Sequence, residues 1–472
     1  MNINELTIKE CYDGLKKGDF TSVELTQACL AQIKKRNKEL NAFISVFEKE
    51  ALVEAERADE MIKSGKQQIL TGIPFCVKDS ISTKDGLSTA AAKILSNYVP
   101  PFDATVIRKI REQGAVLIGK NNCDTFGHGA SNENSMYGPV KNPHDIKRVS
   151  GGSSGGTAVA IADNMAIFGI AEDTGGSIRQ PAAFCGVVGL RPSYGINSRF
   201  GVMPMASSFD TVGPITKSVT DAKIIQEIIA GQDFLDATTV EVKNKKLKVK
   251  NKKLKVGIPQ EYFEIEGIDE EVKKIIENKI KEISKNKDLE IVSVSLPMTK
   301  YAIPVYYIIV SSEDSSNLAR IDAIRYGERK EGSDLYNVYA QSRAEGMNEE
   351  VKRRIMIGTC ALSADYYDIS FRKAQKVRTL IIQDFEKVFQ EVDLLITPTT
   401  PTPAFKLGEK KDDILSMYLA DIFVSPAAAA GLPAISIPVG LTKKKLPVGM
   451  QIIGPRLEDE KLLSFSNLII NY

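Results

Sequence analysis

An α/β fold, with a central mixed β-sheet flanked by helices on both faces, is predicted by three features of the sequence. Short apolar, β-rich runs alternate with amphipathic stretches along all 472 residues. Hydrophobic residues make up 43% of the chain and charged residues 26%, ample material for a large core. No disordered linker interrupts the alternation. One domain over residues 1–472 is therefore expected, although such a length ordinarily divides into about three.

An N-terminal helical segment is expected over about residues 1–65. Thr21-Ser-Val-Glu24 is a capping box, in which hydroxyl and carboxylate reciprocally satisfy free N–H groups, and it opens a helix through about Arg36. Ala51, Ala55, Ala58 and Ile62 recur at helical spacing and mark a second helix. Ile73-Pro-Phe-Cys-Val77 reads as a buried strand that delivers Lys78 and Asp79 at its C-terminal end, where α/β folds place chemistry. Ala115–Ile118 is another strand, and Met165–Ile170 a third that runs into Asp173-Thr-Gly-Gly-Ser177. Val187–Leu190, Leu254–Ile258, Ile291–Val294 and Leu394–Ile396 continue the series. Between the later strands, Val272, Ile276, Ile280 and Ile283 form a helical stripe, and a long helical region runs from Glu349 towards Glu391. Lys243-Asn-Lys-Lys-Leu-Lys-Val249 recurs unchanged as residues 250–256, and this lysine-dense connection over 243–256 is expected as a solvated surface extension.

The formal charge of +2 argues against bulk attraction to nucleic acid or an anionic membrane. The six cysteines, Cys11, Cys29, Cys76, Cys123, Cys185 and Cys360, form no C-x-x-C pair and are expected to be reduced and mostly buried. His128 and His144, the two histidines, are too far apart for a chelating helix pair; surface or loop roles are expected of them, and no metal. The start at Met1 lacks the pattern of a signal peptide, and no stretch approaches the roughly 18 apolar residues of a membrane span. A cytoplasmic protein without a membrane partner is expected.

Two glycine–serine loops, Ser150-Gly-Gly-Ser-Ser-Gly-Gly156 and Asp173-Thr-Gly-Gly-Ser177, flank one apolar segment. Such a backbone can turn N–H groups around a developing negative charge and expose a serine as a nucleophile, which points to a serine hydrolase or acyl-transfer enzyme. Gly151-Gly-Ser153-Ser-Gly155 fits the nucleophile-elbow expression, but that fold needs a later histidine and none follows His144. Gly114 to Lys120 approaches a phosphate loop, yet its middle is a buried strand and Asn121 replaces the required Ser or Thr. What remains is Lys78, Ser153 and Ser177, with the lysine as a base that must be neutral to act and one serine relaying the proton. Either loop alone would serve equally as an anion-binding turn without catalysis.

The two loops, together with Arg179-Gln-Pro181, Phe184-Cys-Gly-Val-Val-Gly-Leu190 and Pro192-Ser-Tyr-Gly195, resemble the amidase signature family. The resemblance implies the amidase-signature fold and a Ser-Ser-Lys triad. Ser177 falls on the nucleophile, Ser153 on the serine at a cis peptide bond, and Lys78 on the base. The backbone N–H groups of Thr174, Gly175, Gly176 and Ser177 fall on the oxyanion hole. Within the family, Asn132-Glu-Asn-Ser135, Lys141-Asn-Pro143, Ser207-Ser-Phe-Asp210, Ser311-Ser-Glu313, Ser315 to Arg320, Arg325-Tyr-Gly327, Glu350 to Ile355 and Gly431-Leu-Pro-Ala434 are similar to the glutaminase subunits of tRNA-dependent amidotransferases. That subgroup implies glutamine held by Tyr306, Arg354 and Asp421. It also implies a heterotrimer with two partners, the B and C subunits of the amidotransferase. The B partner takes the ammonia and uses ATP and Mg to amidate Glu-tRNA(Gln) or Asp-tRNA(Asn), and the small C partner clamps the other two. No cofactor is implied for this chain itself, and contact with tRNA is expected mainly through the ATP-using partner.

The chain departs from the subgroup's pattern at four places. Ser150 replaces a proline, Glu172 a serine, Thr125-Phe-Gly-His128 a Glu-Phe-Ala-Met, and Ala427 to Ala430 a Val-Asn-Leu-Ala. Two rival readings stand beside the glutaminase: a free-standing amidase, which would not need Arg354 and Asp421, and a silent scaffold, which would have no chemical reason to keep Lys78, Ser153 and Ser177.

Overall fold

The computed structural model describes residues 2–241 and 253–470. Eleven strands among them form one mixed sheet: β1 (Phe43–Val46), β2 (Pro74–Lys78), β3 (Val116–Asn121), β4 (Phe168–Asp173), β5 (Val188–Arg191), β6 (Thr211–Thr216), β7 (Leu254–Pro259), β8 (Leu289–Val294), β9 (Leu394–Pro398), β10 (Ala434–Leu441) and β11 (Pro447–Ile453). Their spatial order is β1-β3-β2-β4-β6-β5-β10-β11-β9-β7-β8. β2 runs parallel to β3 and β4, and β7 parallel to β8 and β9, while the strands between β4 and β9 pair antiparallel. Strands β2 to β6, β9 and β11 are buried at every residue. Because successive strand side chains point to opposite faces, that burial requires cover on both faces of the sheet.

Two apolar cores lie along the sheet. One joins the N-terminal helices to β2 and β4 through Leu25, Cys29, Phe75 and Phe168, with the two phenylalanine rings stacked at 5.3 Å. The other joins β11 to later helices through Ile276, Ile309, Phe385 and Ile452. The capping box forms as its spacing predicts: the Glu24 carboxylate accepts from the Thr21 N–H, and the helix it opens runs Ser22–Leu40. Ala51, Ala55 and Ala58 are the buried face of helix Glu48–Lys63. Val272, Ile276 and Ile283 anchor helix Glu270–Ile283, with Ile280 partly buried beside them.

The structure departs from the sequence reading in three places. The N-terminal helical segment contains a strand, β1, which pairs antiparallel with β3. The helical region from Glu349 is two helices, Glu349–Ala361 and Phe371–Val388. The break follows from serines that bond to backbone instead of letting it continue helical: Ser363 Oγ donates to Cys360 O, and Ser370 Oγ to Ala361 O. Strands β6, β10 and β11 also escaped, because each carries proline and glycine that usually mark turns; β10 absorbs Pro438 and Gly440 in an irregularity of register. The duplicated lysine-rich connection lies outside the described residues as far as residue 252, and Leu254 already begins β7. Five of the six cysteines are buried and Cys360 is exposed. No helix among the described residues is long and apolar enough to cross a membrane.

Candidate active site

Because β2 and β4 are parallel neighbours with Val77 opposite Ile170, Lys78 ends its strand at the same edge of the sheet at which β4 runs on to Asp173. Lys78 is fully buried, and its Nζ donates a 2.7 Å hydrogen bond to Ser153 Oγ. The Gly152–Ser153 peptide bond is cis. Backbone bonds tie this serine's loop to its surroundings on both sides: the Asp124 N–H donates to Ser153 O at 3.1 Å, and the Ser154 N–H donates to Ser177 O at 3.1 Å. Glycine is required here by contact, since a Cβ on Gly152 would lie 2.1 Å from Asp124 Oδ2, and Gly151 has φ +80°. Ser177 is the most exposed of the three, at 7%.

The loop that carries Ser177 is fixed by Asp173. Its carboxylate accepts from Arg179 Nε and Nη2 at 3.0 Å each, from Arg191 Nη1 at 2.8 Å, and from the Ile178 N–H at 3.1 Å. Those two guanidinium groups hold its carboxyl well below the usual carboxylate range despite full burial. Thr174 Oγ1 donates to Asp210 Oδ1 at 2.7 Å. With the loop so anchored, the N–H groups of Thr174, Gly175, Gly176 and Ser177 are not spent on any hydrogen bond among the described residues. Four free donors at the end of a strand form a cradle for a negative oxygen.

Tyr306, Arg354 and Asp421 come from three separate elements, helix Ala302–Asn317, helix Glu349–Ala361 and the short turn Leu419–Asp421, and Tyr306 and Asp421 reach this loop. The two helices approach so closely that a Cβ on Gly358 would lie 1.8 Å from Ser311 O. A Cβ on Gly175 would lie 2.5 Å from Tyr306 Cζ, and one on Gly176 would lie 3.5 Å from Asp421 Oδ1. Arg354 is 3% exposed; its Nε donates to Glu350 Oε1 at 2.8 Å, and its guanidinium lies 4.8 Å from the centre of the Tyr307 ring. Asp421 Oδ1 is buried without a hydrogen-bond partner. Burial first, then the charge of Asp173, pushes its carboxyl up to about 8, against the pull of Arg354 and Arg179. A buried guanidinium and an unpartnered buried carboxyl beside a nucleophile loop suit a ligand that carries both charges.

Several residues here were not singled out from sequence. Arg191 and Asp210 anchor the loop, and Asp124 braces the cis-serine; the two aspartates are pushed up to about 7, chiefly by burial. Lys120 is a second buried lysine, lowered to about 8 by burial, but its Nζ donates to Ser88 Oγ at 2.7 Å and does not serve the serine loops. His128 lies in a loop, as one of the two expected roles has it, but not at the surface: it is fully buried, 2.8 Å from Asp314 Oδ2, which gives its ring a polar partner inside the core. Ala427 to Ala430 are buried in the core beside the pocket. Among the described residues no group of three or more His, Cys, Asp or Glu is placed to hold a metal ion.

A loop-borne serine, a buried lysine bonded to a second serine and a row of free N–H groups stand together here, and the chain belongs to the Amidase family, which it matches over residues 24–463. It is similar to the A subunit of glutamyl-tRNA(Gln) amidotransferase of Koribacter versatilis, at 48% identity over 99% of this chain and 98% of that protein. The same-named protein of Geobacter metallireducens is 49% identical over 98% of this chain and 96% of its own length. The crystal structure of the corresponding glutamyl-tRNA(Gln) amidotransferase protein from Thermotoga maritima has a TM-score of 0.81 and 41% identity, covering 98% of this chain and 94% of that one.

Proposed function

We propose that this chain is the glutamine-hydrolysing component of a tRNA-dependent amidotransferase, built as one amidase domain. The observation that carries the reading is that Tyr306 and Asp421 crowd Gly175 and Gly176, with Asp421 Oδ1 unpartnered and within reach of the charge of buried Arg354. The arginine takes the α-carboxylate of glutamine, the aspartate takes its α-ammonium, and Tyr306 closes over the loop. The side-chain amide is then left at Ser177. Similarity to the Koribacter and Geobacter proteins, at 48% and 49% identity over nearly the whole chain, supports the same reading.

In the reaction, Ser177 Oγ attacks the amide carbon while its proton passes through Ser153 Oγ to the neutral amine of Lys78. The carbonyl oxygen becomes an oxyanion among the N–H groups of Thr174 to Ser177, each donor worth about 3 kcal/mol. The C–N bond breaks as Lys78 returns the proton through Ser153 to the nitrogen, so ammonia leaves and a γ-glutamyl ester remains on Ser177. Water attacks that ester by the same relay and releases glutamate, restoring the serine hydroxyl. The ATP-using partner, with Mg, spends the ammonia on converting Glu-tRNA(Gln), or Asp-tRNA(Asn), to the amide, and the small third component holds the other two together. The site of action is cytoplasmic.

The discriminating experiment compares glutamine with an uncharged amide in Arg354→Ala and Asp421→Ala proteins. Removing either partner leaves the opposite ligand charge unpaired, at a cost of roughly 2–5 kcal/mol. Glutamine should lose kcat/KM by that amount while the uncharged amide is cleaved about as before. Equal losses for both substrates would return the choice to a free-standing amidase.

A further inference from the structure

Glu172 precedes the Ser177 loop where the resemblance leads to a serine, and the hydrolytic steps do not use it. It is buried in β4, and its Oε1 lies 3.3 Å from Lys78 Nζ. Ser80 Oγ donates to Oε2 at 2.7 Å and fixes the carboxylate in that orientation. The position opposite is Gly127, where the resemblance leads to alanine. A Cβ there would lie 3.2 Å from Glu172 Oε1 and 3.2 Å from Met205 Sδ, so the two departures fit each other in space. Gly127 also has φ +80°, a backbone conformation that glycine adopts without strain.

We propose that Glu172 is a positioning residue for Lys78, an anionic anchor that holds the amine against Ser153. The carboxylate is oriented by Ser80 and lies within ion-pair distance of the amine, so it fixes where Nζ sits relative to Ser153 Oγ. The other groups that face the pair are engaged elsewhere. Asp79 accepts from the Thr89 and Ala91 N–H groups, and Asp124 from those of Asn132 and Asn134. The Cys123 thiol is pushed well up by burial, and Asp210, on the far side of Glu172, accepts from Thr174, Met205 and Ala206.

The inference rests on Lys78 being the base, and the test separates the two. Glutamine hydrolysis by the assembled amidotransferase is followed from about pH 6 to about pH 10 for the parent, Glu172→Gln, Glu172→Ser and Lys78→Met. The rising limb of kcat/KM should move to lower pH by about one unit or more in both Glu172 variants. A limb that stays in place in both, or moves to higher pH, overturns the anchor role. Lys78→Met should be nearly inactive. If it keeps most of the parent rate, the base assignment fails; if it is inactive while the Glu172 limb stays still, the anchor alone fails. Should Glu172→Gln not fold, Glu172→Ser decides alone, and a limb unmoved in that protein is an equal refutation.

Discussion

The corner of Lys78, Ser153 and Ser177 and the pocket of Tyr306, Arg354 and Asp421 adjoin one loop, at Gly175 and Gly176, and they are built in different ways. At the corner, parallel strand ends and their loops hold Lys78, Ser153 and Ser177. Each of the supporting charges there is met: Asp173 by two arginines, Asp124 by two N–H groups. The pocket is made of side chains from elements more than a hundred residues further on, and it carries unmet charge. Arg354 borrows Glu350 as a counter-ion, and one oxygen of Asp421 has no partner. The contrast teaches where reaction and selectivity reside. On the proposed function, the corner is preorganised for amide cleavage whatever the amide, whereas the pocket is incomplete until a doubly charged ligand enters it.

The largest expected effect breaks the corner and leaves the pocket whole. Ser177→Ala removes one hydroxyl from a loop that Asp173 and Arg179 continue to hold, so the protein should fold and bind glutamine. Ammonia release should fall on the order of 10⁴-fold or more. Substantial release by the folded variant would remove Ser177 from the nucleophile's role. Lys78→Arg is the next largest. Guanidinium stays protonated and cannot take the relay's proton, so a loss of about 10²–10⁴-fold is expected. An arginine variant with most of the parent rate would make Lys78 a charge stabiliser and not a base.

The seam between the two regions yields a smaller effect. Alanine at Gly175 would place its Cβ 2.5 Å from Tyr306 Cζ, so either the tyrosine or the oxyanion loop must shift. A displacement of this kind costs on the order of 10²-fold in kcat/KM. Kinetics with glutamine and an uncharged amide show which one gave way. Loss confined to glutamine means the pocket moved; loss on both means the loop moved.

The same contrast explains what could be read from the sequence. The corner was legible because its chemistry is contiguous: glycine-rich turns stand directly beside Ser153 and Ser177, and Lys78 ends an apolar run. The sheet was legible where strands are pure apolar runs, as in β2 to β4, and obscure in β6, β10 and β11, where proline and glycine imitate turns. The pocket could be approached only through resemblance. On its own, Arg354 in a charged helix looks like a solvated residue, and nothing local announces that Tyr307 and Tyr418 enclose it. Glu172 was visible as a departure, but its contact with Lys78 depends on two strands being neighbours. The burial of His128 in its loop was hidden for the same reason, since Asp314 lies 186 residues away.

The smallest effect, and the one that bears most directly on the pocket, is a proton. Burial and the charge of Asp173 push the Asp421 carboxyl up to about 8, so near pH 7 it is largely protonated in the empty pocket. An α-ammonium needs the carboxylate. Binding glutamine must therefore expel that proton, and below about pH 8 the affinity should weaken by up to tenfold for each unit of acidification. The Ser177→Ala protein allows this to be measured at equilibrium, free of the Lys78 relay. Titration calorimetry in buffers of different ionisation enthalpy should find close to one proton released per glutamine near pH 6–7, falling towards none by about pH 9. In the double variant with Asp421→Asn, the release should vanish. Its affinity deficit should narrow as the pH falls, because a protonated aspartate and an asparagine are then equally uncharged. Affinity that stays level from about pH 6 to about pH 8, with no proton released, would mean that Asp421 does not meet the ammonium. The pocket would then have to be completed by another group.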